Sequence, residues 1–536
     1  MLSLQTLPVE LLCRIFSYID YSEVEHFSRI SGSCSFNINL ASQMVLTDSH
    51  VFVTNFSTED FQDILNASSY IENVARMIHS EVNGRSCQKL HITSSLEQPV
   101  YHPKILTLYL ALPDNFTRNK TRFSGLIEDF IERIQNDCSS LIKDVQNVNI
   151  YIDAGDAFTS ENNVWRYWQC YEQLKRFELT CISSASLKSK LHVFSLSYSE
   201  EQCHNSSCPL TYPTTIRIDF DEFSSLTHLT LTHHESIGFK RGNFRLPKAL
   251  ISLNLSHCKS LWFDFFKFGS FPPYLQTLDI AGNEVGEIMR EVDFKQLTFP
   301  ESLKCLILSN NNITSLQSFR FPSSLKSLDL SGNNIMSISN VLFPESLANL
   351  NLSNNCLESL AHCSLPCNLK RLSIGANHIR DSISSSGLPL VHFPQSLIYL
   401  DLSMNKIHST SSFSFPDGIE ELDLSYNSIE VLEEDSSTFL NLIMLNISGN
   451  PLRSLDLFVC KNESHSRCNH KVPKLRALFL NDIKLVHVFK ESLQKSKENR
   501  VDFPESLRFL NMRNTGIVKR KFDISFGSNL KVLNMS

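Results

Sequence analysis

The sequence predicts an α/β solenoid: a horseshoe of stacked coils with a parallel sheet on its concave side, preceded by a small all-α helical segment. Three observations carry this. Leucines 303, 325, 347 and 369 recur at intervals of 22 residues. Each opens the same phrase of three apolar positions closed by asparagine, as in Leu325, Leu328, Leu330 and Asn333. Residues 7–30 instead place Leu11, Leu12, Ile15, Phe16 and Ile19 on one helical face. A fixed period of this size means a solenoid. One coil cannot bury its own apolar edge, so only the stack is stable.

Within a unit the spacing has a physical reading. Leu328 and Leu330 are two apart, so in a strand they share a side. The asparagine follows, where a short amide can bond the backbone of its own turn and of the next coil. Asn283, Asn311, Asn333, Asn355, Asn377, Asn405, Asn427 and Asn450 occupy this position and are expected to stack into a ladder. Between units run Phe321-Pro322-Ser323-Ser324 and Phe343-Pro344-Glu345-Ser346, where proline bars a helix interior. Extended or 3₁₀ return paths are therefore expected. These residues resemble the leucine-rich repeat family. Lead positions 226, 250, 275, 303, 325, 347, 369, 397, 419, 442, 475, 507 and 530 give a regular array over 226–536, about 13 units. Polar insertions fall near 453–472 and 486–502. After Met535 no polar cap covers the last apolar layer, which predicts a covering partner or a sequence that is a fragment.

Composition bounds the partners. Charged residues are 20% of the chain and the net charge is −7, so there is no basic footprint for nucleic acid and no polybasic membrane patch. No apolar run is long enough to span a bilayer, and the N-terminus lacks a signal-peptide pattern. Fifteen scattered cysteines without a framework read as reduced thiols, pointing to the cytoplasm or nucleus. Sequons such as Asn351-Leu352-Ser353 fall inside the repeat phrase and read as its by-products.

At the N-terminus Pro8 suits the first helical position and Glu10 the first turn. Ser22 and Glu25 form a capping box for a second helix bearing Val24, Phe27 and Ile30. Two such helices need a partner surface; the plain alternative is a helical cap on the solenoid. Leu7-Pro8-Val9-Glu10-Leu11-Leu12-Cys13-Arg14-Ile15-Phe16 resembles the opening of an F-box, and the resemblance spans residues 4–30 of a segment taken as 1–46. It implies binding to a Skp-type linker of a cullin complex through Leu7, Pro8, Leu11, Leu12, Ile15 and Phe16. Together with the repeats, the chain resembles F-box proteins with leucine-rich repeats, substrate adaptors of SCF ubiquitin ligases.

Residues 47–225 are less regular. Residues 123–137 read as a helix, with Leu126, Ile127, Phe130, Ile131 and Ile134 at helical spacing. Strand-like triplets occur at Cys87-x-x-Leu90-x-Ile92, Ile105-x-x-Leu108-x-Leu110, Val145-x-x-Val148-x-Ile150, Leu174-x-x-Phe177-x-Leu179 and Leu191-x-x-Phe194-x-Leu196. They predict a divergent stretch of the solenoid with helical insertions; the alternative is a separate α/β domain.

Catalytic signatures are absent from the sequence: no Walker loop, zincin motif or nucleophile elbow. The repeat aspartates 279, 329, 401 and 423 read as consensus strand residues, not acid–base pairs. Cys460, Cys468, His465 and His470 lack zinc-site spacing, and no metal or cofactor is expected. The aromatic run 262–268 reads as packing. What remains is a binding surface. Side chains at the variable strand positions should project from the concave sheet, and there departures from the Ser/Asp/Asn consensus at Arg371, Tyr399, Glu420, Glu421, Tyr426, Phe479, Arg508, Phe509 and Arg513 mark the expected protein contact, since arginines and aromatics anchor interfaces. The expectation is therefore a non-enzymatic adaptor for a protein substrate, with a repeat scaffold lacking any ligase role as the alternative.

Overall fold

The structure is a computed structural model of the 536-residue chain. It describes residues 49–54, 89–93, 104–111, 128, 131, 145–153, 176–177, 185–197, 220–232, 246–258, 271–287, 299–381, 391–432, 439–453, 472–485, 488, 500–516 and 523–535. The F-box-like segment, the aromatic run at 262–268, the loop holding Cys460 and Cys468, and most of both insertions lie outside these residues. The chain divides into two compact units, Met1–Leu275 and Gln276–Ser536.

In the first unit β1 (Ser49–Thr54) pairs in parallel with β2 (Lys89–Thr93) and with β3 (Ile105–Ala111). From there β4 (Asn147–Asp153), β5 (Leu191–Ser197), β6 (His228–Thr232) and β7 (Ser252–Asn254) add in chain order, all parallel. Apolar side chains stack across these strands: Leu108 faces Ile150, Ile150 faces Phe194, and Phe194 faces Leu229. All four are buried. The irregular strands before residue 225 thus share a sheet with the regular ones after it, because β5 pairs directly with β6.

Two sequence expectations change here. Residues 176–177 are helical, and Phe177 enters the core fully buried from that turn. Its apolar spacing serves a helix face as well as a strand, and periodicity alone does not separate the two in so short a run. Ser49–Thr54 is a strand without the leading triplet, so the repeat template passes it by. Of the helix read over 123–137, the described residues Glu128 and Ile131 are helical and Ile131 is buried.

The second unit repeats a strand of three residues: β8 (Thr277–Asp279), β9 (Cys305–Ile307), β10 (Ser327–Asp329), β11 (Asn349–Asn351) and β12 (Arg371–Ser373). Beyond the small strand β13 (Val391–His392) comes β14 (Tyr399–Asp401), and beyond β15 (Phe413–Ser414) come β16 (Glu421–Asp423), β17 (Met444–Asn446) and β18 (Ala477–Phe479). The series ends with β19 (Arg500–Asp502), β20 (Phe509–Asn511), β21 (Asp523–Ser525) and β22 (Val532–Asn534). The main strands pair in parallel with their middle leucines in register: Leu328, Leu350, Leu372, Leu400, Leu422 and Leu445. Return-path strands pair separately, β13 with β15 and β19 with β21. Between residues 299 and 381 the return path is turns and extended chain with no helix.

Each phrase of the sequence has a stacking task. The lead leucines 303, 325, 347 and 369 are 0% exposed, each contributing about 1.5–3 kcal/mol of burial. The serine before the lead leucine ties one coil to the previous one: Ser324 donates to Leu303 O at 2.7 Å and Ser346 to Leu325 O at 2.7 Å. The phenylalanines stack along the return path, Phe319 on Phe321 at 5.7 Å and Phe321 on Phe343 at 6.0 Å between ring centroids.

The asparagines form a buried ladder. Asn355 Nδ2 donates to Leu330 O of the previous coil (2.9 Å) and to Leu352 O of its own (3.0 Å). Its Oδ1 accepts the Ile335 N–H at 3.0 Å. Asn377, Asn405, Asn427 and Asn450 repeat this pattern. The aspartates at the third strand position cap the following turn: Oδ1 of Asp329, Asp401 and Asp423 accepts the backbone N–H two residues on. Asn351 and Asn446 do the same. That geometry fits a local Asx-turn.

Candidate protein-binding face

A three-residue strand with its middle leucine buried presents its first and third residues to the open face of the sheet. In β8, β10 and β11 both are small or consensus-polar. Three adjacent strands break the pattern at the first position, where Arg371, Tyr399 and Glu421 stand in register across β12, β14 and β16. The Arg371 guanidinium lies 4.0 Å from the centre of the Tyr399 ring, and its Nη2 is 3.8 Å from Glu421 Oε2. Burial, first, and the carboxylate of Asp401 hold the Tyr399 phenol above its ordinary pKa. The Arg371 and Glu421 side chains keep 51% and 39% of their surface, so the ion pair is screened and worth little. Its consequence is positional: a cation, an aromatic ring and an anion held in a row.

Further along the same unit Phe479 and Phe509 meet with ring centroids 5.0 Å apart. They lie on adjacent strands and are both half-buried. Aromatic pairs at this separation add to the area they bury.

The remaining candidates fall elsewhere. Glu420 and Arg508 precede their strands, and Tyr426 and Arg513 lie in the turns that follow. The sequence reading placed all nine on the strands. The strand is shorter than the nine-residue phrase, so positions two, seven and eight of each unit are already in the flanking turns. The structure therefore makes three rows: leading edge, strand face and following turn.

The following turn shows something that the repeat consensus hides. One residue before each ladder position, φ lies between 51° and 67° from Gly282 to Asn514. Glycine, asparagine and aspartate fill it in most coils. Ala376, Met404 and Tyr426 fill it in three consecutive coils, the ones that carry Arg371, Tyr399 and Glu421. Left-handed backbone costs such residues roughly 1–2 kcal/mol each. Met404 and Tyr426 are 59% and 53% exposed, so burial does not recover that cost. The Tyr426 hydroxyl donates to Asp482 Oδ2 at 3.0 Å, a bond that raises the phenol pKa. The ring crosses the intervening turn, where a Cβ on Gly449 would sit 2.5 Å from Tyr426 Cδ1. Only glycine fits under the ring. Sequence reading flagged Tyr426 as an aromatic; the signal for Ala376 and Met404 was a residue type ill-suited to that position.

Among the described residues no group of three His, Cys, Asp or Glu could hold a metal ion, and no helix is long and apolar enough to cross a membrane.

Stacked parallel strands, an asparagine ladder and a two-sided coil of about two dozen residues define a leucine-rich repeat solenoid. Residues 395–452 match the family described as leucine rich repeat, and residues 301–342 match leucine rich repeats in two copies. The chain carries leucine-rich repeats over these residues. A search of curated proteins returns no match. Among solved structures, an internalin from Listeria monocytogenes is 14% identical over 59% of this chain and 82% of that one, with a TM-score of 0.32. The leucine-rich repeat domain of APL1B is 22% identical over 53% and 74%, at 0.35. YopM from Yersinia enterocolitica is 15% identical over 84% and 87%, at 0.30. Superpositions this loose carry no functional weight; the assignment rests on the strand register and on the sequence matches.

Proposed function

We propose that this chain is a protein-binding scaffold acting as the substrate-recognition subunit of an SCF-type ubiquitin ligase. A target protein rests on the strand face of the second unit. Leu7, Pro8, Leu11, Leu12, Ile15 and Phe16 dock a Skp-type linker and, through it, a cullin. The work is positioning, with no catalytic side chain, metal or cofactor of its own. It takes place in the cytoplasm or nucleus.

The observation that carries the binding surface is the Arg371–Tyr399–Glu421 row, borne by three coils whose turns hold Ala376, Met404 and Tyr426 in left-handed backbone. Strain kept at an exposed position points to a use there. The ligase role rests on the F-box resemblance of residues 4–30. Co-purification with a Skp-type linker and cullin tests it, beside a Leu7→Ala/Pro8→Ala variant. Linker retained by the parent and lost by the variant supports the adaptor. No linker with either folded protein leaves a repeat scaffold without a ligase role. For the face, Tyr399→Ala should weaken a captured target at least tenfold, and unchanged binding would remove the row from the interface.

A further inference from the structure

Ahead of its strand each coil places one residue outside the strand face, and at Arg476, Arg508 and Lys531 that residue is exposed. Here Arg476 and Arg508 follow one another. Arg508 N donates to Arg476 O at 2.8 Å, so the two side chains leave from adjacent rungs, about 4.8 Å apart. Lys531 continues the row, its N–H donating to Arg508 O at 2.8 Å.

The two arginines line a cleft of about 340 Å³ together with Lys474, over Ile443 and Pro473. No carboxylate lines it. Lys474 is steadied by Asn441, whose Oδ1 accepts from Nζ at 2.6 Å. The other polar groups of the lining are occupied: the Ser506 hydroxyl donates to Leu475 O and the Asn529 amide to Glu505 O. The guanidinium groups of Arg476 and Arg508 have no hydrogen-bond or ion-pair partner among the described residues. Three cations lining one cleft repel one another until an anion arrives. A guanidinium fork suits the several oxygens of a phosphate better than a single acceptor. The chain as a whole is acidic, at −7, which makes a carboxylate-free cleft the more distinctive.

We propose that Arg476 and Arg508, with Lys474, form an oxyanion site that takes a phosphate group. The group arrives either as free phosphate or on a phosphorylated side chain of a protein segment. The site is separate from linker docking and from the Arg371–Tyr399–Glu421 row, and it stands or falls without them.

The test titrates the full chain with inorganic phosphate at constant ionic strength and follows ³¹P line broadening. The parent and a control at an exposed arginine outside both sites, Arg320→Gln, should broaden the signal alike. Arg476→Gln/Arg508→Gln should lower the apparent affinity at least tenfold, with circular dichroism unchanged because both residues are exposed. Equal response from the double variant and the parent, or none from the parent, overturns the site. A Gly/Ser hexapeptide carrying one phosphoserine, compared with its unphosphorylated form, separates the sources. Phosphopeptide bound more tightly than phosphate assigns the site to a partner segment, and equal affinity assigns it to the free ion. Equal binding of the two peptides together with no phosphate response again overturns the proposal.

Discussion

Removing one rung of the asparagine ladder tests the account of how the coils hold together. Asn355 sits mid-array and buried. Alanine there deletes one acceptor and the amide donors. The carbonyls keep a partner each, because Leu330 O also accepts from Asn333, Leu352 O from Asn377 and Ser353 O, the third acceptor of the amide, from the Gly332 N–H. The Ile335 N–H has no such reserve, since Asn355 Oδ1 is its acceptor. One orphaned buried N–H costs about 1–3 kcal/mol, and three weakened carbonyl contacts add roughly 1 kcal/mol together. The expected loss is therefore about 3 kcal/mol. The chain supplies its own graded control. Cys258 holds the equivalent position in the first unit and donates from Sγ to Leu231 O (3.2 Å) and Ser256 O (3.4 Å). Asn355→Cys should keep those weak donors but accept the amide poorly, losing about 2 kcal/mol. Urea unfolding followed by circular dichroism gives the magnitudes, and amide exchange locates the defect at Ile335. A loss below about 1 kcal/mol for Asn355→Ala, or unchanged exchange at Ile335, would refute the ladder as the tie between coils.

Other expectations follow from single contacts. Met404→Gly should stabilise the second unit by about 1 kcal/mol, because the left-handed turn no longer carries a Cβ, and a higher urea midpoint at constant slope is the readout. Gly449→Ala should destabilise it, since the new methyl meets the Tyr426 ring; Tyr426→Ala in the same chain should recover part of the loss. Ser346→Ala removes the bond to Leu325 O and should cost about 1 kcal/mol in the same unfolding assay. The Tyr426 phenol pKa is raised by its bond to Asp482, so that contribution is full below the ordinary tyrosine range and is lost as pH rises through the folded value. Asp482→Asn should bring the Tyr426 phenolate signal to lower pH in an ultraviolet titration.

The sequence by itself determined the repeat. Its period, the buried leucines and the asparagine ladder all follow from one phrase copied many times, because stacking asks the same thing of every coil. Leucine 325 and its equivalents go inward whatever their neighbours are, and proline in Phe-Pro-x-Ser keeps helix out of the return path. What lay outside the phrase was less legible. Residues 176–177 and Ser49–Thr54 depend on which neighbours they pack against, and apolar spacing alone serves either structure. Only the tertiary structure showed that Arg371, Tyr399 and Glu421 touch, since residues 28 and 22 apart meet only when the coils are in register. It also moved Glu420, Arg508, Tyr426 and Arg513 off the strand face, because a strand of three residues cannot carry the whole phrase. The left-handed turn at Met404 and the cleft between Arg476 and Arg508 arise in the same way. Both are properties of neighbouring coils together, and no single repeat contains either.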